Sequence, residues 1–332
     1  MTDASGFAAA APRGDAAARD SHALPQFRGA SSRRHRRYPL WRLRLRAAFE
    51  ALHRRGALSR ARTLVQFAGF PRSGHSLIGS ILDAHPDAVV AHELDAMGLF
   101  LKGIPARRLP ALMAWNAAAF SRHGRWWNGF RYEVAGAPAT RPPLVVGDKK
   151  GDWAARWCAA EPDLLERLGD AVPLDCRWIL VTRNPFDNVA TMSLRRGGTY
   201  DRLRIGNRDG FREALSQAQA AGDVATTVDD GMVADYRALA AAAALMKTRV
   251  PPESWLEVVY EDFAADPRSG LTRIAAFLDL PPDPDWLASS CALVRPPGRR
   301  SRDALEWRDA QRAALRQAVD AHDFLKAYAG DE

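Results

Sequence analysis

The chain has 332 residues, 47% of them apolar and 26% charged, which suits one large α/β domain with appendages and excludes a collagen-like or disulfide-framed minimal fold. Its formal net charge of +8 is uneven: residues 1–62 hold 14 arginines against four acidic residues, and the remaining 33 Lys and Arg face 35 Asp and Glu, so charge gives the main part no nucleic-acid character. Cys158, Cys176 and Cys291 show neither disulfide nor metal spacing, and no run approaches the roughly 18 apolar residues of a spanning helix, which together fit a reducing cytoplasm.

Residues 1–32, rich in Ala, Gly, Ser and Asp without periodicity, read as a disordered leader with no secretory core. In residues 33–62, Arg33, Arg34, Arg36 and Arg37, then Arg42, Arg44 and Arg46, alternate with Trp41, Leu43, Leu45 and Phe49. This predicts a basic amphipathic helix, lying either on an anionic membrane surface or as a solvated helix on the domain edge.

A buried strand follows at Leu64, Val65 and Phe67, broken by Gly69-Phe70-Pro71-Arg72-Ser73-Gly74, and a helical pattern then starts at Leu77 and Ile78. Strand, tight loop and helix N-terminus make an anion cradle, where backbone N–H groups and the helix dipole converge. Gly69 to Ser76 reads G-x-x-x-x-G-H-S, with His75 where an ATP- or GTP-binding loop carries Lys. A neutral His supplies neither that reach nor that charge. The loop's cation is Arg72, which suits a single phosphate with a transferable group beside it.

Ala88–Ala91 predicts a second strand ending near His92-Glu93. Residues 95–140 show broken helical patterns with Trp115, Phe120, Trp126, Trp127, Phe130 and Tyr132. Residues 144–146 form a third strand running into Asp148-Lys149-Lys150, with a helix over 152–168. Residues 176–182 form a fourth strand, stopped by Arg183, and Asn184-Pro185 opens a helix with a favoured cap and first residue. Residues 197–211 read as an irregular loop, 229–248 as a helix and 255–260 as a fifth strand, before two helices and a tail. Strands alternating with helices predict a parallel sheet covered on both faces. Ligands on such sheets sit at the strands' carboxyl ends, where Arg72, Glu93, Lys149 and Arg183 all fall.

Residues 70–76, FPRSGHS, resemble the phosphosulfate loop of sulfotransferases that use 3′-phosphoadenosine 5′-phosphosulfate (PAPS), usually PKSGT or PRSGT followed by Thr or Ser; His75 departs from it. LDAHP at 82–86 resembles tyrosylprotein sulfotransferases and their bacterial relatives. The resemblance implies a P-loop-like three-layer α/β fold with a sulfotransferase domain over 63–328. It also implies PAPS as co-substrate, adenosine 3′,5′-bisphosphate as product, and no metal. Arg72, Ser73, Gly74, His75 and Ser76 would hold the 5′-phosphate side. RNPFDNVAT at 183–191 resembles the family's 3′-phosphate motif, with Arg183 and a hydroxyl eight positions later at Thr191, and Ser193 in reserve. The basic segment 295–302, followed by Trp307, loosely resembles the segment that closes over that phosphate, offering Arg299, Arg300 and Arg302. YEDFAADP at 260–267 resembles an architectural strand–helix of the family.

By the same resemblance Glu93, eight residues after His85, is the general base, with His92 its rival. Lys149 contacts the sulfuryl group and bridging oxygen, with Lys150 able to exchange roles, and Arg72 steadies charge on the 5′-phosphate. The acceptor, a hydroxyl or amine on a glycan, lipid or peptide, is not readable. Its walls are expected in 95–140 and 197–211, where Trp126, Trp127 and Phe130 either stack on it or belong to the core, and Arg202, Arg204 and Arg208 could attract an anionic acceptor. Two other readings compete. An ATP-using small-molecule kinase is disfavoured by His75 and by the want of an evident Mg²⁺-holding Asp. An inactive nucleotide-binding module, tethered to membrane or partner by the basic leader, is disfavoured by the Glu93–Lys149 pair.

Overall fold

The five apolar runs form one all-parallel sheet: β1 (Thr63–Gly69), β2 (Ala88–His92), β3 (Val145–Lys149), β4 (Asp175–Thr182) and β5 (Trp255–Val259) lie in the order β2-β3-β1-β4-β5. This computed structural model describes residues 39–331 apart from 128–129, 133, 135–140, 204–209 and 297–299. The expected leader over 1–32, Arg33, Arg34, Arg36, Arg37, Arg204, Arg208 and Arg299 lie outside the described residues.

Side chains of a strand point alternately to opposite faces, and the buried residues sort that way. On β1, Leu64 and Ala68 enter one core with Trp178 and Leu180 of β4; Val65 and Phe67 enter the other with Ile179 and Val181. The first core is covered by α1 (Leu40–His53), which α2 (His75–Leu82) does not join, and by α3 (Leu109–Arg122), α4 (Gly151–Ala160), α5 (Pro185–Arg196) and α6 (Asp230–Lys247). The second is covered by α2 (His75–Leu82) and by the helices Pro267–Phe277 and Pro284–Cys291. The result is the expected three-layer, P-loop-like α/β architecture. Among the described residues no helix is long and apolar enough to cross a membrane.

Several boundaries differ from expectation. The helix expected over 152–168 is two, α4 and Leu164–Ala171, because Pro162 cannot continue the backbone ladder. The loop expected at 197–211 contains a helix, Thr199–Leu203, which follows Gly198 in the left-handed region (φ 74°). Residues 95–140 hold a short helix Ala96–Leu101, α3 and a ribbon pairing Trp126–Trp127 with Phe130–Arg131. The basic helix is shorter than its segment: it starts after Pro39 and ends at His53.

Candidate active site

The loop after β1 turns through positive φ at Gly69 (104°), Arg72 (70°) and Gly74 (101°). At Gly74 a Cβ would lie 2.2 Å from the Tyr260 ring, so glycine is required there for backbone freedom and for space. Gly74 caps α2 without a side chain, leaving the first N–H groups of that helix to face whatever enters the cradle. Ser73 is fully buried, and its Oγ and the Nδ1 of buried His75 have no hydrogen-bond partner within the protein. A buried polar atom left so costs about 1–3 kcal/mol, and a phosphate oxygen suits the Ser73 hydroxyl. Burial, reinforced by the charge of Lys149, pushes the His75 imidazole down to about 3, so it is neutral, as expected where a nucleoside-triphosphate loop would carry a cation.

The cation comes from across the sheet. Lys149 ends β3, opposite His92 at the end of β2, and its fully buried Nζ reaches Ser76 Oγ at 2.8 Å and Glu93 Oε1 at 2.5 Å. Lys150 donates to the other carboxylate oxygen, Oε2, and lies 3.5 Å from Asp152. Glu93 turns into this cluster through a left-handed backbone (φ 60°). Burial alone would raise its carboxyl, but the Lys149 and Lys150 ammoniums outweigh burial and hold it well below the usual carboxylate range. Burial lowers Lys149, whereas Asp152 and Glu93 together lift Lys150 against its own burial.

His92 sits behind the cluster. Its ring stacks on Phe120 at 4.0 Å and meets Trp127 edge-on at 5.1 Å, Nε2 lies 3.4 Å from Lys149 Nζ, and burial keeps it neutral, well below its ordinary pKa. Trp127, nearly buried, is thus committed to core packing around His92; the side chains of Trp126 and Phe130 lie outside the described ones.

Asp148, for which the sequence pattern offers no role, shapes the turn after Glu93. Its oxygens accept from the backbone N–H groups of Leu94 at 3.1 Å and Ala96 at 2.8 Å. Burial pushes this carboxyl up to about 7. The native chain therefore holds the proton more tightly than the unfolded one, and the contribution is full below the unfolded value near 4 and lost as pH rises through about 7. Asp148→Asn is expected to flatten the fall in melting temperature between pH 5 and 8 relative to wild type; parallel curves would refute it.

The residues expected to hold a second anion come together at the end of β4. Arg183 directs Nη1 to Thr191 Oγ1 and to the Arg72 carbonyl, and Nη2 to Ser301 Oγ, each at 3.4 Å. Asn188 Nδ2 holds the Pro71 carbonyl at 2.8 Å, so α5 fastens the loop to this arginine. Ser301 joins this group without a sequence signal, since a lone serine between arginines has no pattern of its own. Ser193 is turned away, accepting from the Asp229 N–H. Arg302 is tied up elsewhere: its guanidinium donates to the Asp331 carbonyl at 2.6 Å and to Asp331 Oδ1 at 3.0 Å, and its N–H to Asp187 Oδ1. Arg300 is exposed. The Arg72 guanidinium lies over the Tyr200 ring at 5.2 Å, and Arg202 donates to the Asp223 carbonyl. His85 is locked between the Pro281 carbonyl and the Asp87 N–H, an architectural role.

The Sulfotransferase family profile matches residues 65–285. Among curated proteins nothing matches. Similar solved structures include sulfotransferase STF9 from Mycobacterium avium, with 15% identity, 96% of this chain and 98% of that chain covered, and a TM-score of 0.44. A sulfotransferase from Alicyclobacillus acidocaldarius gives 20%, 82%, 97% and 0.40, and mouse sulfotransferase SULT7A1 complexed with PAP gives 13%, 86%, 95% and 0.41. The family match takes in the loop of residues 70–76, the Glu93–Lys149 cluster and Arg183–Thr191 within most of the chain, and on it the protein belongs to the sulfotransferase family and is a sulfotransferase enzyme.

Proposed function

We propose that the protein moves a sulfuryl group from PAPS to a hydroxyl or amine of its acceptor, a glycan, lipid or peptide, with Glu93 taking the acceptor's proton. The reading is carried by Lys149, whose ammonium joins the phosphate loop at Ser76 to the carboxylate of Glu93 within one buried cluster. Sulfuryl transfer, like phosphoryl transfer, asks the protein for positioning and charge stabilisation. The acceptor's O–H or N–H bond breaks as its heteroatom bonds sulfur, and the sulfur–oxygen bond to the 5′-phosphate breaks with its electron pair leaving on phosphate. Arg72 and Lys149 supply positive charge where that anion forms, and Ser73, His75 and Ser76 line its cradle. Arg183, Thr191 and Ser301 offer donors for a second phosphate.

In the structure both oxygens of Glu93 are taken by lysines. To accept a proton, Glu93 must lose one of them, and Lys149 is the one with an alternative partner in the loop. Lys150 stays, held also by Asp152. The catalytic domain is assigned to 63–328, with α1 docked on its edge and its exposed face available for peripheral membrane contact. The three free cysteines suit action in the cytoplasm.

Adenosine 3′,5′-bisphosphate is expected to raise the melting temperature while ATP with Mg²⁺ does not, and Arg183→Ala is expected to abolish the shift. A shift with ATP–Mg²⁺ alone would support a kinase, and an undiminished shift in the variant would remove Arg183 from the site.

A further inference from the structure

Among the described residues, the large apolar side chains that stand open to solvent all belong to α1: Trp41 (58% exposed), Leu45 (64%), Phe49 (56%) and Leu52 (79%). Successive offsets of four, four and three residues place them in one stripe along the helix. The opposite face is anchored, since Leu43, Ala47 and Glu50 are buried. Arg44 Nη2 donates to the Lys102 carbonyl at 2.9 Å, Glu50 accepts from Arg46 at 3.1 Å and Arg54 at 2.6 Å, and Arg46 lies 5.0 Å over Trp115 of α3. The helix is therefore held in place without the stripe. A contiguous exposed apolar patch on an ordered element marks an interaction surface.

The charge around the stripe is of one sign. Arg42 and Arg46 flank it on one side and Arg44 on the other, with exposed Arg55 just beyond its end. The helix's single acidic residue, Glu50, is buried on the far face.

We propose that α1 lies flat on an anionic lipid surface, its four apolar side chains entering the boundary between headgroups and acyl chains and exposed Arg42 and Arg55 meeting lipid phosphates. A stripe opposite the anchored face fits a plane, and aromatic and aliphatic residues beside arginines are the composition of an interfacial helix. A second copy of this helix would set arginines against arginines. Residues 1–38 are no better a cover, because they hold seven arginines against three aspartates; the same arginines add to attraction toward an anionic surface.

The test is sedimentation of the full chain with vesicles of phosphatidylcholine containing phosphatidylserine, against phosphatidylcholine alone. The protein is expected to pellet with the anionic vesicles and to be released by salt. Leu45→Ser with Phe49→Ser should weaken binding roughly tenfold or more without changing the melting temperature, and Arg42→Gln with Arg55→Gln should remove the preference for phosphatidylserine. Equal pelleting with both vesicles, or undiminished binding by the serine pair, would overturn the proposal. So would a solution dimer that the serine pair splits, or retention on immobilised polyglutamate without vesicle binding. Sedimentation needs no turnover, so its failure would leave sulfuryl transfer untouched.

Discussion

Lys149→Met is expected to lower the turnover number by roughly 10²–10³-fold, the range for removing one preorganised charge-stabilising donor, while adenosine 3′,5′-bisphosphate still raises the melting temperature. Methionine keeps the buried stem, which fits closely over Gly79: a Cβ at that glycine would lie 2.8 Å from Lys149 Cγ. The substitution deletes the ammonium that Ser76 and Glu93 share. It also leaves Glu93 with Lys150 as its remaining ammonium partner. Losing a positive neighbour raises a carboxyl's pKa, so the acid limb of the rate profile should move to higher pH. Single-turnover transfer of labelled sulfuryl from PAPS reads the rate, once an acceptor is found. An unchanged rate would take Lys149 out of the chemistry, and a lost thermal shift would make it a binding residue.

Glu93→Gln carries the second large effect. Removing a general base costs about 10²–10⁴-fold in rate, and nucleotide binding should persist because Arg183 and the loop are untouched. A glutamine cannot balance two ammoniums, and breaking a buried ion pair from one side costs about 3–5 kcal/mol, so the variant should also melt earlier. Adding Lys149→Met removes one stranded charge and should recover part of that stability with no recovery of turnover. This non-additive result separates the structural task of the carboxylate from its chemical one. If Glu93→Gln keeps its activity and His92→Asn loses it, the base is His92. Both candidates meet the Lys149 ammonium, His92 Nε2 at 3.4 Å and Glu93 Oε1 at 2.5 Å, so this pair of variants separates them.

The sheet was legible because strands such as 64–68 and 176–182 are apolar on both faces and end at glycine or charge, a pattern that survives without knowledge of neighbours. The site's outline was legible for the same reason, since Arg72, Glu93, Lys149 and Arg183 stand where strands stop. What escaped was partnership. Nothing in the sequence tells that Lys150 shares Glu93 with Lys149, that Asp148 turns inward to hold two backbone N–H groups, or that Arg302 pairs with Asp331. Those pairings depend on chain segments tens of residues apart. The Trp126–Trp127 ribbon escaped for another reason: two-residue strands have no period to detect. The aromatic cluster of Phe120, Trp127 and His92 resolved one ambiguity, placing Trp127 with the core.

The strand order carries a consequence for synthesis. β1 and β2 leave the ribosome first, yet they never pair with each other; β3, which enters between them, is made more than fifty residues after β2. At ordinary elongation of about 5–20 residues per second, the phosphate loop and Glu93 exist for seconds before the lysines that neutralise the carboxylate. A nascent chain halted before residue 145 has loop residues 70–76 and Glu93 but neither strand that flanks β1, and its acidic side chain has no lysine to pair with. The pocket proposed for the nucleotide is complete only after the middle of the sheet has closed, so gain of binding in that proposal would report the folding of the whole domain.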